Sequence, residues 1–140
     1  MWDEAIARAR ELDALPEPKG QLFGLPVSAK EHHGYTSKTR TFASNASYVS
    51  WIGKEHESLY LYDLFYDEGV VYYARTTQPQ LIMHLETESN IYGRTTNPYN
   101  RDLTSGGSSG GEGALLAIRG SILVSSTQAA QTFVVFRKAI

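Results

Sequence analysis

The chain of 140 residues is long enough for one ordinary domain, and its 41% hydrophobic and 20% charged residues are typical of a globular protein. A net charge of −2 without a basic block gives no surface for nucleic acid, and the absence of cysteine excludes disulfides, thiolate metal sites and a cysteine nucleophile. No apolar run approaches the roughly 18 residues that span a bilayer, so we expect a cytoplasmic protein, whose oligomeric state the sequence does not predict.

The first half of the chain alternates helix and strand signals. Residues 2–14 place apolar side chains three to four positions apart, which predicts an amphipathic helix, and the short apolar segment LFGLPVSAK predicts a buried strand that ends at Lys30. Residues 57–68 again have helical spacing, Gly69 suits the position after a helix, and the β-branched and aromatic VVYYA predicts a strand. A helix that leads into a strand is the unit of a parallel sheet, so we expect an α/β fold.

The second half begins with weaker signals. A proline near the start and apolar residues on one face predict a short helix over 78–86, and residues 93–108 have the glycines and proline of a loop. A final helix is predicted over about 110–119. Ser109 and Glu112, three residues apart, have the spacing of a capping box, in which each side chain bonds a free backbone amide at the helix start.

Glycine is concentrated just before and inside the first turn of this last helix, at five of the eight positions from 106 to 113. The run is not a phosphate-binding loop, because Gly111 is followed by Glu112 rather than Lys and position 116 is not glycine. Each glycine inside a helix costs about 1 kcal/mol against alanine. Close approach of another backbone therefore explains the run better than a flexible linker, which remains the alternative.

Lys30 is the first candidate for chemistry. It is either a surface lysine at a strand end or a desolvated lysine whose lowered pKa lets its neutral amine accept a proton from a serine. Spacing along the chain does not show whether Lys30 and Ser108 meet. Met83 fits either packing or the lining of a groove. No HExxH motif or other metal-ligand spacing occurs among the histidines, which are His32, His33, His56 and His84.

Three segments in order, PVSAKE (26–31), RTTQPQLIMHLETESNIYGRTTNPYN (75–100) and SGGSSGGEGALLAIRGS (105–121), resemble the amidase signature family, especially its fungal acetamidase-like and fatty-acid-amide-type members. The resemblance implies hydrolysis of a small-molecule amide without a cofactor or metal, by a Ser, cis-Ser, Lys triad. It implies an α/β fold, here a partial one with a mixed or parallel sheet flanked by helices. Lys30 would be the base, Ser108 the bridging cis-serine, and Met83 would contribute backbone near the substrate.

The resemblance covers about residues 2–123, so we expect an amidase signature domain at 1–123 and a divergent tail at 124–140, from a shifted reading frame or mis-spliced gene. The family continues into a glycine-rich segment that holds the nucleophilic serine, whereas residues 121–140 contain no glycine. The nucleophile position falls near Gln131 and Thr132, and Ser125 and Ser126 lie too close to Ser108. The chain is thus expected to be an inactive fragment. The alternatives are a non-catalytic module that binds a ligand or partner, and a minimal amidase that uses Thr132.

Overall fold

Helices and strands alternate in the first part of the described chain, as the sequence predicts, and several short strands then precede the last helix. The computed structural model describes residues 1–31 and 60–123. The elements in these ranges are α1 (Trp2–Asp13), β1 (Pro26–Lys30), α2 (Tyr60–Asp67), β2 (Val71–Thr76), β3 (Glu88–Ser89), β4 (Gly93–Arg94), β5 (Thr96–Asn97), β6 (Asn100–Thr104) and α3 (Gly110–Ala117).

The strands β1 and β2 pair in parallel, which confirms the α/β class and the predicted helix-to-strand unit. Lys30, the last residue of β1, lies opposite Thr76, the last residue of β2. Gly69 follows α2 with φ +93°, the left-handed conformation that glycine adopts without a steric penalty. The parallel pairing therefore brings the ends of the two strands, with their polar side chains, to one edge of the sheet.

The two faces of β1 hold side chains of different polarity, because alternate residues of a strand point to opposite sides. Val27 and Ala29 are fully buried in a cluster with Tyr62 of α2 and Tyr72 of β2. The intervening residues of β1 are polar and equally buried. One face of this strand thus belongs to the hydrophobic core, and the other holds the buried polar side chains of Ser28 and Lys30.

A second, smaller cluster fastens α1 to the sheet. Ala5 and Leu12 of α1 pack with Val71 of β2, and Phe23 and Tyr73 lie partly buried against them. Since Val71 and Tyr72 are neighbours on one strand, α1 and α2 cover opposite faces of β2. The two faces of the parallel pair are therefore covered by helices, as such sheets require.

The prediction of a helix over 78–86 is wrong. Turns replace it, and Leu81 and Ile82 have φ of +59° and +67°, left-handed values that end a right-handed helix. The Ile82 amide donates to the Pro79 carbonyl, and the Met83 amide to the Leu81 carbonyl. Apolar spacing and a first-turn proline favour a helix here, whereas residues 84–86 of the segment pack closely on the backbone of Gly107.

The loop predicted over 93–108 contains short strands. β3 pairs with β4, and β5 pairs with β6, both antiparallel. The strands β3, β4 and β5 have two residues each, too few to show the alternation that identifies a strand in a sequence, and the five residues of β6 include one apolar side chain, Leu103.

Among the described residues, no helix has both the length and the apolar character needed to cross a bilayer.

Candidate active site

Two candidate residues that lie 78 positions apart in the sequence meet inside the protein. The Nζ atom of Lys30 donates a hydrogen bond to the Oγ atom of Ser108 at 2.5 Å. Lys30 is fully buried and Ser108 is 1% exposed. Lys30 is therefore not a surface lysine, and the pair is a direct, largely water-free contact between an amine and a hydroxyl.

Burial lowers the pKa of Lys30 from 10.5 to about 8, and the negative charge of Glu112 opposes this fall. At pH 8 a lysine with that pKa is about half neutral, whereas an ordinary lysine is ~0.3% neutral. Only the neutral amine has a lone pair that can accept a proton. The site therefore increases the basic form of Lys30 roughly 150-fold at this pH.

Glu112 does not form the predicted capping box. Ser109 stands at the N-cap of α3 but makes no side-chain capping bond. The Glu112 carboxylate is fully buried, and it accepts hydrogen bonds from Thr76 Oγ1 at 2.6 Å and from Ser28 Oγ at 3.1 Å. A buried carboxylate needs such partners, and hydroxyls of the two parallel strands provide them.

The glycine run brings backbones into close contact, as predicted. A Cβ atom at Gly107 would lie 2.8 Å from backbone atoms of each of residues 84–86, and one at Gly111 would lie 2.5 Å from the amide nitrogen of Thr77. A Cβ atom essentially never lies that close to an atom to which it is not bonded. The missing side chains thus allow α3 and the turn before it to pack directly on two other segments, which a flexible linker would not do.

Thr87 holds the turn that contains Ser108. Its Oγ1 atom accepts a hydrogen bond from the Gly110 amide at 2.8 Å and donates one to the Gly106 carbonyl at 3.0 Å. The peptide bond between Gly107 and Ser108 is cis, and the resemblance predicts a cis-serine at this position. Sequence analysis missed Thr87 because one threonine among many polar residues gives no signal.

The side chain of Met83 is 82% exposed and lies in a turn rather than in the predicted helix. The residues that follow it, 84–86, form the close contact with Gly107. Its proposed contribution to substrate binding stays a prediction.

Several candidates lie outside the described residues: Gln131, Thr132, Ser125, Ser126, the whole tail 124–140, and the histidines His32, His33 and His56. In the part of the chain that the structure describes, no group of three or more histidine and acidic side chains could hold a metal ion.

Sequence comparison identifies the family of the chain. The family model described as Amidase matches residues 1–128. A putative amidase of Schizosaccharomyces pombe is 48% identical over 126 residues, which are 87% of this chain and 23% of that protein. An acetamidase of Emericella nidulans is 40% identical over 126 residues, which are 86% of this chain and 22% of that protein.

Structural comparison gives the same family. The solved structure of a fatty acid amide hydrolase matches 85% of this chain and 21% of its own length, with 38% identity and a TM-score of 0.70. The chain therefore spans less than a quarter of the length of each of these three relatives.

Proposed function

Because the chain belongs to the amidase signature family, we propose that Lys30 and Ser108 are the base and the bridging serine of an active site that hydrolyses a small-molecule amide. The contact that carries this proposal is the 2.5 Å hydrogen bond between the Lys30 amine and the Ser108 hydroxyl. Both groups are buried, and the lysine has a pKa of about 8, so its neutral form is abundant at mildly basic pH.

The proposed reaction moves one proton along this pair. A nucleophilic hydroxyl attacks the amide carbonyl carbon, and its proton passes to Ser108 as the Ser108 proton passes to the Lys30 amine. A C–O bond forms, and the carbonyl π electrons move to oxygen. When the tetrahedral intermediate collapses, the C–N bond breaks and the amine leaves with the proton that returns from Lys30 through Ser108. Water repeats the attack on the acyl ester, which releases the acid and restores the hydroxyl.

We further propose that the 140-residue chain by itself has little or no amidase activity. The nucleophilic hydroxyl and the amides that stabilise the oxyanion belong to a glycine-rich segment in this family, and residues 121–140 contain no glycine. Loss of oxyanion donors alone lowers rates by about 100- to 1000-fold. The proposed role of this chain is therefore to supply the lysine and the bridging serine, and the nucleophile is supplied by other residues.

The proposal extends to Met83 as part of the amide-binding surface. The Met83 side chain is exposed, and the residues that follow it, 84–86, pack against Gly107, the neighbour of Ser108. These contacts support a position of Met83 beside the bridging serine. A thioether on a flexible side chain adapts to apolar acyl groups of different shape. Met83→Ala is expected to raise KM with little change in kcat.

A chimeric enzyme tests the two main residues. Residues 1–123 replace the corresponding segment of the Emericella nidulans acetamidase, and ammonia released from acetamide is measured at pH 8. Lys30→Met and Ser108→Ala are each expected to lower kcat/KM by on the order of 1000-fold or more. The matched controls, Lys19→Met at an exposed lysine and Ser89→Ala at a buried serine outside the site, are expected to keep the activity.

Retained activity in the Lys30 and Ser108 variants would overturn the proposal. The 140-residue chain is assayed beside the chimera. Turnover by the chain that is lost in Thr132→Val would identify a minimal amidase instead of an inactive fragment. Acetamide binding by a chimera that folds but never turns over would favour the non-catalytic module.

A further inference from the structure

Glu112 is a buried charge to which the proposed function assigns no role. The carboxylate is fully buried and is held by Ser28 from β1 and Thr76 from β2. Burying a carboxylate is expensive even when hydrogen-bond donors surround it, because they recover only part of its hydration. An aliphatic residue in the first turn of α3 would avoid that cost.

Glu112 and Lys30 have neighbouring hydrogen-bond partners on the same strands. Thr76, which donates the shorter hydrogen bond to Glu112, is the register partner of Lys30 in the parallel pair. Ser28, the other donor, stands two residues before Lys30 and so on the same face of β1. Ser108, the hydrogen-bond partner of Lys30, precedes Glu112 by four residues at the start of α3. The amine and the carboxylate thus share one polar layer between β1, β2 and α3.

We propose that Glu112 is a positioning residue for this chemistry, whose buried carboxylate stabilises Lys30 while the lysine holds the proton taken from Ser108. The inference rests on the proposed function for the source of that proton. A buried ammonium without a counter-charge is strongly unfavourable, so transfer to an isolated lysine would be uphill. A carboxylate fixed by two hydroxyls supplies the charge without itself being the proton acceptor.

Burial and Glu112 act on Lys30 in opposite directions. Burial lowers the Lys30 pKa, the Glu112 charge raises it, and the balance is about 8. Among the described residues, the other ionisable side chains on the two strands and next to them in sequence are Glu31, Tyr72, Tyr73 and Arg75. Glu31 accepts a hydrogen bond from the Tyr92 hydroxyl, and the pKa of Tyr73 is raised by its burial and by Glu112, which keeps the phenol neutral at pH 8. Glu112 is the charged group that acts on the Lys30 pKa.

The test measures the titration of Lys30 directly and requires no catalysis. The 140-residue chain is labelled with ¹³C-lysine, and the Cε shifts are followed by NMR from pH 6 to pH 11. The signal that titrates near pH 8 is assigned by its absence in Lys30→Met. Glu112→Gln keeps the shape and can still bond both hydroxyls, and it is expected to lower the Lys30 midpoint by about one pH unit or more. Glu88→Gln, at an exposed carboxylate, is the matched control and is expected to leave the midpoint unchanged.

A Lys30 midpoint that is unchanged or raised in folded Glu112→Gln would overturn the inference. If Glu112→Gln does not fold, the double variant Lys30→Met/Glu112→Gln decides the question, because removing both charges should restore folding if the single variant fails from an uncompensated ammonium. A double variant that also fails to fold would show a merely structural role and overturn the inference. Failure of the proposed function would appear in the acetamide assay of the chimera, so the two failures are distinguishable.

Discussion

The Thr87 hydroxyl fastens both ends of the turn that holds Ser108, and Thr87→Val removes it while preserving the shape of the side chain. Thr87 is 1% exposed, and its hydroxyl serves the Gly110 amide and the Gly106 carbonyl. Leaving a buried polar group unsatisfied costs about 1–3 kcal/mol. The Gly110 amide is buried and Gly106 is half-buried, so the two groups together predict a loss of about 2–5 kcal/mol, less than two fully buried groups would give. For a chain of this size that corresponds to a fall in Tm of about 6–15 °C.

Thr87→Ser is the matched control for this variant. It keeps the hydroxyl and loses one methyl group, which is expected to cost about 1 kcal/mol. The measurement is thermal unfolding followed by circular dichroism at 222 nm, together with urea unfolding at 25 °C. If the valine variant were as stable as the serine variant, the two hydrogen bonds of Thr87 would not hold the turn and the reasoning would be refuted.

Two further substitutions test the packing and the charge of the site. Gly107→Ala places a Cβ atom 2.8 Å from backbone atoms of residues 84–86, and it is expected to lower Tm by about 3–10 °C through overpacking. In the control Gly24→Ala the new atom meets nothing within 4 Å, so this variant should lose only about 1 kcal/mol from left-handed strain. Equal losses of stability in the two variants would contradict the overpacking. The folded-state pKa of Lys30, about 8, lies below the ordinary 10.5, so the unfolded chain binds more protons between these values. The stability of the wild type relative to Lys30→Met should therefore rise between pH 8 and pH 10.5, and urea unfolding that gives a constant difference over this window would rule out the lowered pKa.

The parts of the fold that the sequence predicts are those with strong local signals. The apolar strand that ends at Lys30, the helix before Gly69 and the helix after the glycine run all have patterns that local physics determines. The segment 78–86 does not: Leu81 and Ile82 have left-handed φ values, and residues 84–86 pack against Gly107, a residue more than twenty positions away. Propensity cannot anticipate a contact with a distant backbone.

The site was predictable only in part. The resemblance singled out Lys30 and Ser108. Their contact depends on β1 and α3 being neighbours in space, and the spacing of residues along the chain does not show that they are. Glu112 was assigned to a capping box because the Ser-x-x-Glu pattern is the same whether the helix start is exposed or buried. A usable signal was Ser28, a polar residue two positions before Lys30 in an apolar strand, which needed a polar partner once that strand was buried.

The glycine run and the basicity of Lys30 are physically connected. Gly107 and Gly111 let the Ser108 turn and the first turn of α3 approach other backbones more closely than any side chain permits. Ser108 directly follows Gly107 and is hydrogen-bonded to the Lys30 amine, so this packing fixes the Ser108 turn against a buried lysine, and burial is what lowers the Lys30 pKa to about 8. If side chains at these positions held α3 away from the sheet, water would enter and the pKa would return toward 10.5, which would reduce the neutral fraction at pH 8 from about half to ~0.3%. We therefore infer that the glycines serve the proposed chemistry through desolvation of a base rather than through flexibility of a loop.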